Sequence, residues 1–255
     1  MLGLRQSGNI LDSMVFKGGT CLRLCYFEGY RFSEDLDFSS LQSITEGNLH
    51  ENLENANKWI FTNSGLNFSV KPIKISLIDN ENRKGNLQVR IYFRGPLPYN
   101  GSPPTIKIDI TNNESVLLPI NLNNIIHRYS DYCLFKNIKI PCYSLEEMFA
   151  EKVRALCGQR KFAVSRDVYD IYQLLKENIL LEKATSILEK KFNTRRMDIA
   201  KLNLSYIKEK KTSFEIDWDR NVKHLIPEKN LSFERVWDEV ARTLAKVESW
   251  IRKSN

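Results

Sequence analysis

The sequence predicts an α+β fold: a mixed β-sheet flanked by helices, followed by a C-terminal helical region. Three observations predict it. Apolar residues alternate with polar ones in short runs before Ile140, the period of strands. From Ser144 on they recur at helical spacing, opened by Ser144 with Glu147 three residues later, a capping box. Between these regimes the boundary falls near Pro141, giving domains over residues 1–140 and 141–255.

Met14–Lys17 is a short apolar strand, and Thr20–Glu28 a helix carrying Leu22, Leu24, Cys25 and Phe27. Glu34–Phe38 reads as a strand and Thr45–Thr62 as a helix. Asn67–Ile78, Leu87–Arg94 and Thr105–Thr111 are further strands. In the first, alternation slips at Pro72, which marks a bulge or an edge. Gly95–Pro104 holds four prolines and two glycines and is a loop. Helices follow over Leu145–Leu156, Arg166–Lys176, Leu180–Lys191, Ile199–Lys208 and Phe233–Ile251, and Lys208–Lys211 reads as a solvated helix end.

The bulk numbers limit the function. With 255 residues and 42% apolar content, a folded core is expected and disorder is not. A net charge of +7 suits a polyanionic partner such as RNA. Five cysteines without Cys-x-x-Cys spacing, and the scattered His50, His127 and His224, argue against zinc. Free thiols fit a reducing cytoplasm, and neither a signal peptide nor a run of 18 apolar residues is found. A cytoplasmic protein without membrane attachment is expected; its oligomeric state is not legible.

Chemistry enters with the carboxylates. Residues two apart on a strand share a face, so Asp35 and Asp37 sit together with Ser33, opposite Phe32, Glu34, Leu36 and Phe38. In Thr105–Ile110, Ile106, Ile108 and Ile110 face the core, while Lys107 and Asp109 face away. If the two strands are neighbours, three carboxylates meet. Their mutual repulsion is relieved by divalent cations, and hard oxygen ligands suit Mg²⁺. An isolated Asp-x-Asp is usually just a solvated sheet face.

Gly18-Gly19-Thr20, between strand and helix, alters that balance. Glycines let backbone N–H groups approach an anion, and a helix start favours phosphate. The Thr20 hydroxyl is placed to donate to a phosphate or to cap the helix. Neither a Walker loop nor a dinucleotide fingerprint is found. On the later helix, Lys152 lies on the apolar stripe of Leu145, Met148, Phe149, Ala155 and Leu156, so it must snorkel or meet an anion. Asp167 and Asp170 lie three apart on one helix side, readable as site acids or as helix-start acids with a salt bridge to Arg166.

Strand, Gly-Gly-Thr, helix, Asp-x-Asp and a later strand Asp resemble the nucleotidyltransferase superfamily that includes DNA polymerase beta. The ordered blocks Phe16–Thr20, Arg31–Phe38, Lys107–Asp109, Ala150–Leu156 and Arg166–Asp170, covering Val15 to Leu175, resemble the AbiEii/AbiGii toxin family. These are the nucleotidyltransferase-like toxins of abortive-infection, type IV toxin–antitoxin systems.

The resemblance implies a nucleotidyltransferase-like catalytic domain and a helical domain contributing to the active site. It implies NTP as substrate, two Mg²⁺ ions, a cognate antitoxin, and transfer of NMP to an acceptor such as the tRNA 3′ end, blocking translation. Asp35, Asp37 and Asp109 would bind metal, with Asp109 activating the attacking hydroxyl. Gly18, Gly19, Thr20 and Ser33 would hold phosphates, Lys152 would contact the nucleotide, and Asp167 with Asp170 would complete the site. Only 17 residues precede Gly18, where the family carries a longer helical lead, so a shortened chain or late start is expected. That bears on stability more than on chemistry. Two other readings stay open: a protein kinase-like phosphotransferase on the same scaffold, and a non-catalytic module binding RNA or a partner.

Overall fold

The first of two units, Met1–Tyr143, is built on a seven-stranded sheet. The computed structural model describes residues 1–6, 8–78, 85–95, 100–112, 114–160 and 162–254. Of the expected loop Gly95–Pro104, residues 96–99 lie outside the described residues.

The strands are β1 (Met14–Lys17), β2 (Leu36–Ser40), β3 (Lys74–Ile78), β4 (Asn86–Tyr92), β5 (Thr105–Thr111), β6 (Asn121–Asn124) and β7 (Lys139–Cys142). Their order is β3-β4-β5-β2-β1-β7-β6. β2 runs parallel to β5 and β1 to β7, and the other neighbours are antiparallel, so the sheet is mixed. One row across four strands, Leu87–Ile110–Phe38–Phe16, is wholly buried. The Phe16 and Phe38 rings stack at 4.9 Å. Burying each such side chain stabilises by roughly 1.5–3 kcal/mol, which pins the register of these strands.

Among the described residues three α-helices accompany the sheet: α1 (Leu2–Gln6), α2 (Gly18–Cys21), which continues as a π-helical turn over Leu22–Tyr26, and α3 (Glu46–Ser64). The Thr45 hydroxyl caps α3 by accepting from the Asn48 N–H, and Leu49, Leu53 and Ala56 are its buried stripe.

Some expectations change. β2 starts at Leu36, not Glu34, because the preceding segment is bonded to the glycine turn: the Asp35 carbonyl accepts from the Thr20 hydroxyl at 2.6 Å. Phe32 therefore lies at the surface, with the Arg23 guanidinium 4.6 Å from its ring centroid. The expected strand Asn67–Ile78 shrinks to β3, an edge strand, with a lone bridge from Asn67 to Arg94. Pro72, lacking an N–H, sits where the ladder fails. α1, β6 and β7 were not expected: β6 is the polar Asn-Leu-Asn-Asn, and β7 has four residues and a proline.

The second unit, Ser144–Asn255, is helical. It contains α4 (Leu145–Arg154), α5 (Ser165–Lys176), α6 (Leu181–Ser186), α7 (Leu188–Asn193), α8 (Leu204–Glu209), α9 (Lys211–Asn221) and α10 (Phe233–Ser254). The Ser144 hydroxyl accepts from the Glu147 N–H at 3.2 Å, the bond expected of the cap. The helix expected over Leu180–Lys191 is interrupted at Ile187, and that over Ile199–Lys208 becomes a 3₁₀ turn followed by α8. α9 was missed; Phe214 and Trp218, four apart, are its buried face. Their rings join Tyr169, Phe233 and Trp237 in an aromatic cluster. Among the described residues no helix is long and apolar enough to cross a membrane.

Candidate active site

One residue along from the apolar row lies a polar one. Gln88, Asp109, Asp37 and Lys17 are successive Cα partners across β4, β5, β2 and β1. Directly paired residues share a face of the sheet, so the Asp37 and Asp109 carboxylates project side by side. At the strand spacing of about 5 Å, two such charges repel by roughly 3 kcal/mol at an effective dielectric constant of about 20. Gln88 Nε2 donates to Asp109 Oδ1 at 3.0 Å and fixes that carboxylate. Lys107, two residues before Asp109, places its Nζ 3.7 Å from Asp35 Oδ1. Asp35 precedes β2, and this contact links it to the strand that carries Asp109. Both of those side chains are nearly half exposed, so their attraction is weak.

The glycine turn abuts this row. Gly18 has φ of +77°, a conformation costly for residues with a Cβ. A Cβ there would also overlap Asp37 Oδ2, with Asp37 Cβ and Cγ both 3.1 Å away. A Cβ on Gly19 would lie 2.5 Å from Arg31 Nη2 and 2.9 Å from Ser33 Oγ. Gly18 is therefore pressed against the metal-ligand candidate Asp37, and Gly19 against the segment carrying Ser33. The Thr20 hydroxyl donates to the Asp35 carbonyl and lies 3.0 Å from the Ser33 hydroxyl. Of the two expected roles, donation to a phosphate or capping the helix, the cap is not seen: the hydroxyl proton goes to the Asp35 carbonyl and α2 starts without a side-chain cap. Thr20 and Ser33 tie the turn to the Asp35 segment.

Lys17 and Glu114 were missed at the sequence level. Lys17 Nζ lies 2.7 Å from Glu114 Oε2, and both side chains are nearly fully buried. The ammonium stands on the same face as Asp37, directly across the ladder. A lysine ending a buried strand immediately before Gly18-Gly19 was the available signal. Gln88 gave none, because only strand register brings it to Asp109.

The second unit carries its own charged cluster. Lys152 Nζ lies 2.8 Å from Asp167 Oδ1 and 2.8 Å from Asp170 Oδ2. Arg160 Nε donates to Asp167 Oδ2 at 2.6 Å. Of the two fates expected for Lys152 on its apolar stripe, the anion is the one found, supplied by these carboxylates. The salt bridge to Asp167 comes from Arg160 and Lys152, not from the expected Arg166, which is exposed on the helix. Burial pushes the Asp167 carboxyl up, but the Lys152 and Arg160 charges outweigh it and hold it below its ordinary value.

As a ligand set, Asp35, Asp37 and Asp109 offer only carboxylate oxygens, hard donors that suit a hard divalent ion and leave their repulsion to be relieved by it. The donor chemistry fits such an ion, although among the described residues the group whose three ligand atoms lie within 4.8 Å of one another is Cys21, Cys25 and Cys142, not these carboxylates.

Comparison with known proteins gives the same direction. Residues 7–241 match the sequence profile of a family described as nucleotidyl transferase AbiEii toxin, type IV TA system. The fold is similar to that of JHP933 from Helicobacter pylori, at 19% identity and a TM-score of 0.59, covering 99% of this chain and 90% of that one. It is also similar to MenT4, a nucleotidyltransferase toxin from Mycobacterium tuberculosis, at 18% identity and a TM-score of 0.55, covering 92% and 75%. No curated protein matches the chain.

Proposed function

The chain belongs to the AbiEii family of nucleotidyltransferase toxins of type IV toxin–antitoxin systems, and we propose that it transfers NMP from an NTP to the 3′ end of an RNA, specifically tRNA, with Mg²⁺. Nucleotidyl transfer from an NTP, a divalent metal and an antitoxin partner are general to that family. The acceptor, the identity and number of the ions, the residues below and a cytoplasmic setting are our own reading.

The observation that carries it is the pairing of Asp37 with Asp109 beside the Gly18 backbone. In this reading Asp35, Asp37 and Asp109 hold two Mg²⁺ ions. Bound there, they supply charge neutralisation of the triphosphate and polarise the reacting oxygens. Gly18 and Gly19 offer the backbone N–H groups of the turn to phosphates, and Thr20 and Ser33 hold that turn in place. Asp109, one of whose oxygens accepts from Gln88, takes the proton of the attacking 3′ hydroxyl. The hydroxyl oxygen forms a bond to the α-phosphorus, and the bond to pyrophosphate breaks. We assign Lys152 to nucleotide contact, and Asp167 with Asp170 to fixing that lysine's position. Positioning and charge compensation supply most of the rate.

The test is incubation of the protein with each α-labelled NTP, Mg²⁺ and total tRNA, beside γ-labelled controls. Label from the α position on tRNA is expected. Label on a protein from the γ position instead would make the chain a phosphotransferase, and no transfer from any NTP would leave a binding module.

A further inference from the structure

Cys21, Cys25 and Cys142 come together in the first unit, far apart as they are in sequence. Their Sγ atoms all lie within 4.8 Å of one another, and all three residues are buried. Cys21 ends α2, Cys25 lies one helical turn further on its π-helical continuation, and Cys142 ends β7. Phe16 of β1 is the strand partner of Cys142, so the cluster lies directly behind the glycine turn. The two other cysteines, Cys133 and Cys157, are not part of it.

We propose that these three sulfurs form a binding site for a single soft, thiophilic cation of the cuprous class. The donor set decides the class. Thiolate sulfur selects soft ions, and among the described residues no carboxylate or imidazole joins the group. A hard ion such as Mg²⁺ finds no carboxylate in the group among the described residues. Zinc favours a fourth ligand, which the cluster lacks, whereas a cuprous ion accepts three. Metal–sulfur bonds of about 2.3 Å place three sulfurs about 4 Å apart in a trigonal plane. The observed group needs to contract by less than an ångström to reach that spacing. A disulfide would use two of the three and leave the third without a role.

Binding forms three Cu–S bonds. The protons of the sulfurs that coordinate as thiolates pass to the solvent, and no electron is transferred. The Cys142 thiol, which donates to the Ile140 carbonyl at 3.3 Å, exchanges that weak bond for the metal. Cys25 is the least buried of the three, at 8% exposure, and gives the entry path. Because the ligands come from α2, its continuation and β7, a bound ion ties those elements together behind Thr20. This stabilises the turn without touching Asp35, Asp37 or Asp109.

The experiment is anaerobic titration of the reduced full chain with Cu(I), delivered from a chromophoric chelator, with X-ray absorption on the loaded protein. One equivalent bound by three sulfurs is expected, with a raised Tm. The double variant Cys133→Ser/Cys157→Ser should retain it, and Cys25→Ser should weaken binding at least tenfold and lower the count to two sulfurs. No uptake against the chelator, nitrogen or oxygen ligands in the absorption spectrum, or loss of the site in the Cys133→Ser/Cys157→Ser protein would each overturn the proposal. Should Cys25→Ser fail to fold, the sulfur count in the wild-type protein decides by itself.

Discussion

Asp37 and Asp109 are Cα partners on the parallel neighbours β2 and β5, so their carboxylates leave the same face of the sheet one strand apart. Side by side, the two charges repel each other. Asp109→Asn should therefore leave the metal-free Tm unchanged or slightly higher, while lowering nucleotide transfer by roughly 10²-fold or more. A thermal melt beside an α-label transfer assay reads both. A large loss of Tm would mean that Asp109 is structural.

Gly18 and Gly19 should respond differently to the same added methyl. Gly18→Ala meets a positive φ and the Asp37 carboxylate, so it should cost roughly 1–2 kcal/mol from the backbone alone and displace Asp37 as well. At Gly19 φ is not positive, and what is met is the end of the Arg31 side chain and a serine hydroxyl rather than a carboxylate of the candidate metal site. Gly19→Ala should stay closer to wild type in denaturant melts.

Lys17 and Glu114 form a buried pair, and removing one partner costs the other its ion pair. Lys17→Met should destabilise by roughly 3–5 kcal/mol in urea unfolding, and adding Glu114→Gln should restore much of that. If the double variant is no more stable than the single one, the pair is not what holds Glu114 in place.

Asp167 gives the second unit a pH dependence of known sign. Its carboxyl is held below the ordinary value, so its contribution is present at neutral pH. It is lost as pH falls below about 4, through the unfolded and then the folded pKa. Asp167→Asn should lower stability at pH 7 and flatten the acid limb of the stability profile. An acid limb as steep as that of the wild type would contradict this linkage.

How much was legible in the sequence follows the range of the interactions. Phe38 and Ile110 announce their strands by alternation, Phe16 its strand by a short apolar run, and Ser144 announces α4 by its cap; all are local signals. Asp35, Asp37 and Asp109 could be placed on strand faces, but only register shows that Asp37 and Asp109 are partners. The same limit hid Gln88 beside Asp109, Glu114 beside Lys17, and Cys142 beside Cys21 and Cys25. β6 was missed because Asn121–Asn124 has one apolar residue, its pairing with β7 being long-range backbone bonding. Lys152 was recognised as anomalous on its stripe, whereas Arg160 lies in an irregular segment after a π-helical turn, where no periodicity points to Asp167.

The central claim is that the Asp35–Asp37–Asp109 face holds divalent metal. The most direct measurement is Mn²⁺ titration of the wild-type protein and Asp37→Asn by electron paramagnetic resonance, with a non-hydrolysable NTP analogue present. The account predicts tight Mn²⁺ uptake by the wild type and at least tenfold weaker uptake by Asp37→Asn. Equal uptake by the two proteins would contradict it.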